Sequence, residues 1–309
     1  MLIALCSVKG SPGVTTLTVA LAMTWPHAES TRRLVAEVDP SGGDLAMRFG
    51  LATTPGLVSL AAAARRTRDP AVVWDHTQAL PGGARALVAP PGGTHASAAL
   101  STLATAPDGP LLPAVARDTG VVVFADCGRV DPGSPAEAIA RCAGALVLVT
   151  GAQGDDLAHA AARLGELARW TPRPGLLLTG EGYPTVDVER ELGVPAIGRL
   201  PHDPVAAATL AGHRQSLARR RGNNGGLARH AAALARTLAE PAAPAGPPFV
   251  STAAGVPGVP AQQLRQPGGV IIAPGHGPHS SFPASTPPQV SDPRRNGHQP
   301  SAAGKEPFA

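Results

Sequence analysis

The sequence predicts an α/β fold, a doubly wound and mostly parallel sheet, followed by a disordered tail. Three observations carry this. Short apolar runs alternate with Ala-rich stretches of helical length over residues 1–240, the pattern of βα units whose strands are covered on both faces. Aromatic residues are only 3% of the chain, so Leu, Val and Ala must fill the core and helices must pack close on small side chains. From residue 241 to 309 there are 15 Pro and 9 Gly in 69 residues, about 35% and above the roughly 25–30% at which unperiodic Pro plus Gly reads as disorder.

In chain order, the first strand is Leu2 to Val8, stopped by Lys9, Gly10 and Pro12, and an apolar helix from Thr15 to Thr24 follows. Leu34 to Val38 is the second strand, closed by an Asp39-Pro40 turn. The helical stretch Leu57 to Arg66 precedes a strand at Ala86 to Ala89, and Ala96 to Thr105 precedes one at Gly120 to Ala125. Pro135 to Cys142 leads to Ala145 to Thr150, and Asp155 to Trp170 leads to Leu176 to Thr179. Val186 to Leu192, the strand Ala196 to Gly198, and the helices Pro204 to His213 and Leu227 to Leu238 complete a domain over 1–240. The tail, 241–309, has one brief apolar island, Gly269 to Ala273, and otherwise nothing to offset its chain entropy.

Several classes fall away. No apolar run approaches the roughly 18 residues of a spanning helix, and no basic residue precedes Leu2 to Val8 as a signal peptide would require. A soluble, cytoplasmic chain without a transmembrane segment is expected. Cys6, Cys127 and Cys142 are an odd set without CxxC spacing, which reads as reduced thiols rather than a disulfide framework or a zinc site. His202, Asp203 and His213 lack helical metal-ligand spacing, and Gly56-Leu57-Val58-Ser59 is no nucleophile elbow. The net charge of +4 is too small to imply nucleic-acid binding by itself.

The type of base is more informative. Of 26 basic residues only Lys9 and Lys305 are lysine, so the lysine in the first loop fits a site that wants a compact ammonium on a flexible stem. That loop, Lys9-Gly10-Ser11-Pro12-Gly13-Val14-Thr15-Thr16, lies between an apolar strand and a helix. Glycines there let backbone N–H groups turn inward as an anion cradle, and the helix N-terminus adds its positive end. Thr15, in the first helical turn, is positioned to ligate Mg²⁺.

These residues resemble the deviant Walker A loop, K-G-G-x-G-K-(S/T), of the ParA/MinD group of P-loop ATPases. Lys9, Gly10, Gly13 and Thr15 match, Ser11 replaces a glycine, and Val14 replaces the loop lysine that pairs with the β- and γ-phosphates. The resemblance implies a P-loop NTPase-type sheet binding ATP and Mg²⁺ along residues Lys9 to Thr16. It makes Lys9 the signature lysine that reaches across an ATP-sandwich homodimer to the partner's phosphates. Leu34 to Pro40 is similar to the switch I region, which makes Asp39 the group facing the γ-phosphate and attacking water. Val121 to Gly128 resembles Walker B and switch II, with Asp126 holding the Mg²⁺ water shell; the metal set is then Thr15, Asp39 and Asp126. Glu191 to Pro195 with Gly198 to Asp203 is similar to the late loop beside the adenine, which implicates Pro201 and Asp203, although Leu176 to Gly180 lacks the asparagine that commonly contacts the base.

By this resemblance the chain is an ATP-dependent switch that positions chromosomes, plasmids, division machinery or surface assemblies, with slow or absent hydrolysis because of Val14. Lys9 supplied in trans would make up the charge missing at Val14, so that binding depends on dimerisation. The alternative is a noncatalytic scaffold of the TadZ/CpaE type that marks a pilus or secretion assembly. Val14 favours the scaffold; Lys9, Asp39 and Asp126 around one cavity favour nucleotide binding. A related amidoligase would need a further substrate motif, and the sequence presents none. Arg214, Arg219, Arg220 and Arg221 form a small basic cluster of the kind that holds DNA nonspecifically in ParA-type proteins, or else a solvated helix end. The last helix reads as a core element rather than a membrane-surface helix.

Overall fold

Every residue of strand β1, Leu2–Ser7, is buried, because helices cover both faces of the sheet it centres. A computed structural model of the chain describes residues 1–10, 12–67, 69–105, 110–210 and 226–240, all within the unit Met1–Ala254. The proposed tail, Ser11, and the cluster Arg214, Arg219, Arg220 and Arg221 lie outside the described residues.

The other strands are β2 Arg32–Glu37, β3 Gln78–Ala79, β4 Arg85–Leu87, β5 Val121–Arg129, β6 Ala145–Gly151, β7 Pro174–Thr179 and β8 Ala196–Leu200. They form one sheet in the order β3-β4-β2-β5-β1-β6-β7-β8. All neighbours pair parallel except β3, which runs antiparallel along β4. The helices are α1 Val14–Thr24, α2 Leu45–Phe49, α3 Leu57–Ala63, α4 Val72–Asp75, α5 Gly93–Ala104, α6 Leu111–Val115, α7 Pro135–Ala140, α8 Gly154–Leu167, α9 Thr185–Leu192, α10 Pro204–Leu210 and α11 Gly226–Ala239.

Alternation along the strands sorts the core into two layers. Leu2, Ala4, Cys6, Leu34 and Ala36 face the layer built by α3, α5, α7 and α8, among them Leu60, Leu100, Ile139 and Leu167. Ile3, Leu5, Val35 and Phe124 face the layer built by α1 and α11, through Leu17, Leu21, Leu234 and Leu238. Trp25 closes this second layer edge-on to Phe124, at 5.2 Å between ring centroids. Helix α11 is therefore a core element, and Arg173 holds its end by donating to the carbonyls of Thr237, Leu238 and Glu240 at 3.0, 3.2 and 2.9 Å.

All seven expected strands form, several of them longer than the apolar runs. Strand β2 begins at Arg32 because Arg33 is buried with its guanidinium donating to the carbonyls of Ala22 and Gly82, both at 2.7 Å. Strand β5 runs on through Asp126 to Arg129, so the expected turn carboxylate sits inside the strand. The two-residue β3 and the short α2, α4 and α6 escape periodicity, since one helical turn repeats no pattern. No helix among the described residues is long and apolar enough to cross a membrane.

Candidate functional site

The connections from β1 and β5 leave in opposite directions, β1 through α1 to β2 and β5 through α7 to β6. Ligands of open α/β sheets bind at the strand carboxyl ends where the order switches in this way. A cleft of about 560 Å³ opens there, lined by Gly10, Gly13, Val14, Thr15 and Thr16 of the first loop and α1, by Glu37 at the end of β2 with Asp39, Asp44 and Arg48 beyond it, and by Asp126, Gly128 and Arg129 of β5.

The loop side of the cleft is built for an anion. Gly13 caps α1 in the left-handed conformation, φ 92°, which a residue with a Cβ rarely adopts. Helix α1 has neither a side-chain cap nor an acidic residue in its first turn. Its leading N–H groups thus face the cleft with the positive end of the helix dipole behind them. A Cβ placed on Gly10 or Gly13 meets nothing within 4 Å, so the cradle has room for a bulky anion. Val14 contributes no charge, because its side chain is 5% exposed and belongs to the core layer of α1.

The opposite wall is acidic. Asp126, 2% exposed, is pushed up to about 6 by desolvation, against hydrogen bonds from the Thr15 hydroxyl and the Gly128 N–H. Asp39 is also raised by burial, while it accepts from the Ser41 N–H at 2.7 Å and from the Arg129 N–H. Its carboxylate lies so close over Gly128 that a Cβ there would sit 1.7 Å from Oδ2, and Gly128 has φ 55°. The structure therefore brings Asp39, Asp126 and Thr15 together around one cavity. Glu37, which sequence reasoning passed over, is 2% exposed. It accepts from the Asp44, Leu45 and Ala89 N–H groups at 2.7, 2.8 and 2.8 Å, and burial pushes it up to about 7. A carboxylate inside the apolar run Leu34 to Val38 was the signal for it.

Other expected residues sit apart. Lys9 is ion-paired with Asp155 at the start of α8, with Asp156 Oδ1 at 4.0 Å, and is not among the residues lining the cleft. The Asp203 carboxylate accepts from the Ala206 N–H at 2.9 Å and so caps α10; neither it nor Pro201 lines the cleft. Cys6 and Cys127 are buried free thiols, and burial pushes Cys6 up to about 12 and Cys127 well above its usual range, which makes both unreactive.

The hydroxyl of Thr15 with the carboxylates of Asp39 and Asp126 is a hard oxygen donor set that suits Mg²⁺. No group of three or more His, Cys, Asp or Glu among the described residues could hold a metal ion. Such an ion would accordingly need oxygens from a bound phosphate and from water, as Mg²⁺ commonly does.

Against solved structures this chain resembles the ParA family ATPase of Chlorobium tepidum, at TM-score 0.60 and 16% identity over 77% of this chain and 98% of that one. The fold is that of the ParA/MinD ATPases. Septum site-determining protein MinD of Pyrococcus horikoshii, complexed with Mg-ADP, matches at TM-score 0.60 and 17% identity, over 77% of this chain and 96% of that one. MinD in the MinC:MinD cell division complex of Aquifex aeolicus matches at TM-score 0.57 and 15% identity, over 79% and 97%. No protein-family model and no curated protein matches the chain. A ParA/MinD-type sheet accounts for the place of the cleft at the carboxyl ends of β1, β2 and β5.

Proposed function

We propose that this chain is a MinD/ParA-like ATP-binding switch for intracellular positioning, acting in the cytoplasm as an ATP-sandwich homodimer with slow or absent hydrolysis. The observation that carries the reading is the convergence of an uncapped α1 N-terminus with Thr15, Asp39 and Asp126 on one cleft. Proteins of the same fold include a ParA family ATPase and the cell division ATPase MinD of Pyrococcus furiosus, and MinD is seen with Mg-ADP bound and in a complex with MinC.

Each group has a role that follows from its chemistry. The α1 N–H groups and those of Gly10 and Gly13 hold the phosphates. Thr15, Asp126 and Asp39 hold Mg²⁺, which when bound neutralises charge on the phosphate oxygens. Asp39, clamped between Ser41 and Gly128, orients water at the terminal phosphate and links the loop after β2 to β5. Lys9 exchanges Asp155 for the partner's phosphates when two copies close. Pro201 and Asp203 flank the base, and 241–309 serves as a disordered tail. DNA contact through Arg214, Arg219, Arg220 and Arg221 is a further part of the proposal.

A second reading, a noncatalytic scaffold like TadZ/CpaE, is favoured by the burial of Val14, which leaves the loop without its lysine charge. Calorimetry of Mg-ATP binding, with mass followed by light scattering, separates the two. Binding coupled to dimerisation in the wild type, and dimerisation lost in Lys9→Ala, is the expected result. No heat and an unchanged mass would overturn the switch in favour of the scaffold.

A further inference from the structure

Position 14 leaves the cleft short of a cation, yet two arginines line it. Arg129 is 56% exposed at its side chain and turns to Asp131, with Nη2 at 2.9 Å from Oδ1. Arg48, at the end of α2, is only 25% exposed; its Nη2 lies 3.1 Å from Asp44 Oδ2, and its Nη1 reaches to 3.5 Å from the Thr16 hydroxyl in the first turn of α1. Arg48 thus spans from the loop after β2 to the phosphate cradle, beside the residue where the lysine is missing. Its charge also acts on the buried Asp126 carboxylate, favouring the ionised form.

We propose that Arg48, in the same chain as the cradle, supplies the positive charge that position 14 lacks and binds the terminal phosphate oxygens of a nucleoside triphosphate beside Thr16. This rests on the nucleotide-binding reading and deepens it, moving the replacement charge from the partner's loop to this chain's own α2. The guanidinium fork suits it, since it donates two parallel hydrogen bonds to a phosphate. The carboxylate of Asp44 holds that fork at the cleft when no anion is present. Because Asp44 is 69% exposed, the pair is weak enough to exchange for a phosphate.

The test is calorimetry on the full chain with ATP, ADP and AMP in Mg²⁺, comparing wild type with Arg48→Ala, Arg48→Lys and Arg129→Ala under conditions where light scattering shows monomer. Arg48→Ala should weaken ATP about 10- to 100-fold, the range of a lost hydrogen bond to a charged group, and leave AMP unchanged. Arg48→Lys should regain part of the ATP affinity, and Arg129→Ala should stay within a few-fold of wild type. Equal ATP affinity in wild type and Arg48→Ala overturns the role of Arg48 and leaves the nucleotide switch standing. An equal loss for ATP and AMP also overturns it, since a structural effect would not distinguish the terminal phosphates. If wild type binds none of the three, even at protein concentrations that allow two copies to close, the nucleotide-binding reading itself falls.

Discussion

Glu37 and Asp126 stand opposite each other in the parallel register of β2 and β5, both 2% exposed, and burial raises the proton affinity of both carboxyls, to about 7 and about 6. Desolvation is the main cause for both, and the Asp126 charge adds to it for Glu37. A folded chain without ligand therefore carries protons on this pair that the unfolded chain, with carboxylates near 4, has already released.

The sign for stability follows. Both folded values lie above the unfolded ones, so this contribution is fully present below about pH 4 and is lost as pH rises towards 7. In buffers without nucleotide, stability from this pair should fall between about pH 4 and about pH 7. Urea unfolding of Glu37→Gln should show a flatter pH slope than wild type; an unchanged slope would rule Glu37 out as its source.

Gly128→Ala should damage the site. The new methyl group would collide with the Asp39 carboxylate, and φ 55° costs a residue with a Cβ about 1–2 kcal/mol. A measured loss of about 1–3 kcal/mol, together with weaker Mg-ATP binding, is expected. Wild-type stability and binding would mean that Asp39 is not held there.

Lys9 is tied to the first turn of α8 through Asp155, so Asp155→Asn should release it. If Lys9 serves the partner's phosphates, the variant should dimerise at lower protein concentration in Mg-ATP than wild type, with the difference shrinking as salt is added. Light scattering at two ionic strengths reads both effects, and a rise in the concentration needed would contradict the exchange.

Arg173→Ala removes three hydrogen bonds, two to the last carbonyls of α11 and one to Glu240 just beyond it. A cation at a helix C-terminus contributes up to about 2 kcal/mol, and α11 forms part of the core layer beside α1. Denaturant melts should show a loss of about 1–2 kcal/mol, of the size expected for lost charged hydrogen bonds.

Deleting residues 241–309 should leave the melting temperature of the domain unchanged within error, because a Pro- and Gly-rich segment offers little apolar surface to bury. A large drop would show that the tail packs on the domain.

Much of this was legible from local pattern. The apolar runs are the seven main strands because buried parallel strands need no polar face, and the loop from Lys9 to Thr16, Asp39 and Asp126 declare themselves by following directly on those apolar runs, although β5 carries Asp126 inside the strand. Lysine usage isolated Lys9, and the composition marked 241–309. Tertiary structure alone decided which groups share the cleft. Arg48 follows eleven residues after Glu37 in an unremarkable one-turn helix, and only the return of α2 over the α1 N-terminus sets its guanidinium beside Thr16. Glu37 reads as an oddity in an apolar strand until three backbone N–H groups from two separate segments converge on it. Lys9 likewise faces Asp155, 146 residues away, a contact created by the parallel pairing of β1 with β6, whose chain leads into α8. Local sequence determines where strands and loops begin because propensity and periodicity act over a few residues; the charges that meet in a site are chosen by strand order, which depends on how the whole chain buries its apolar faces.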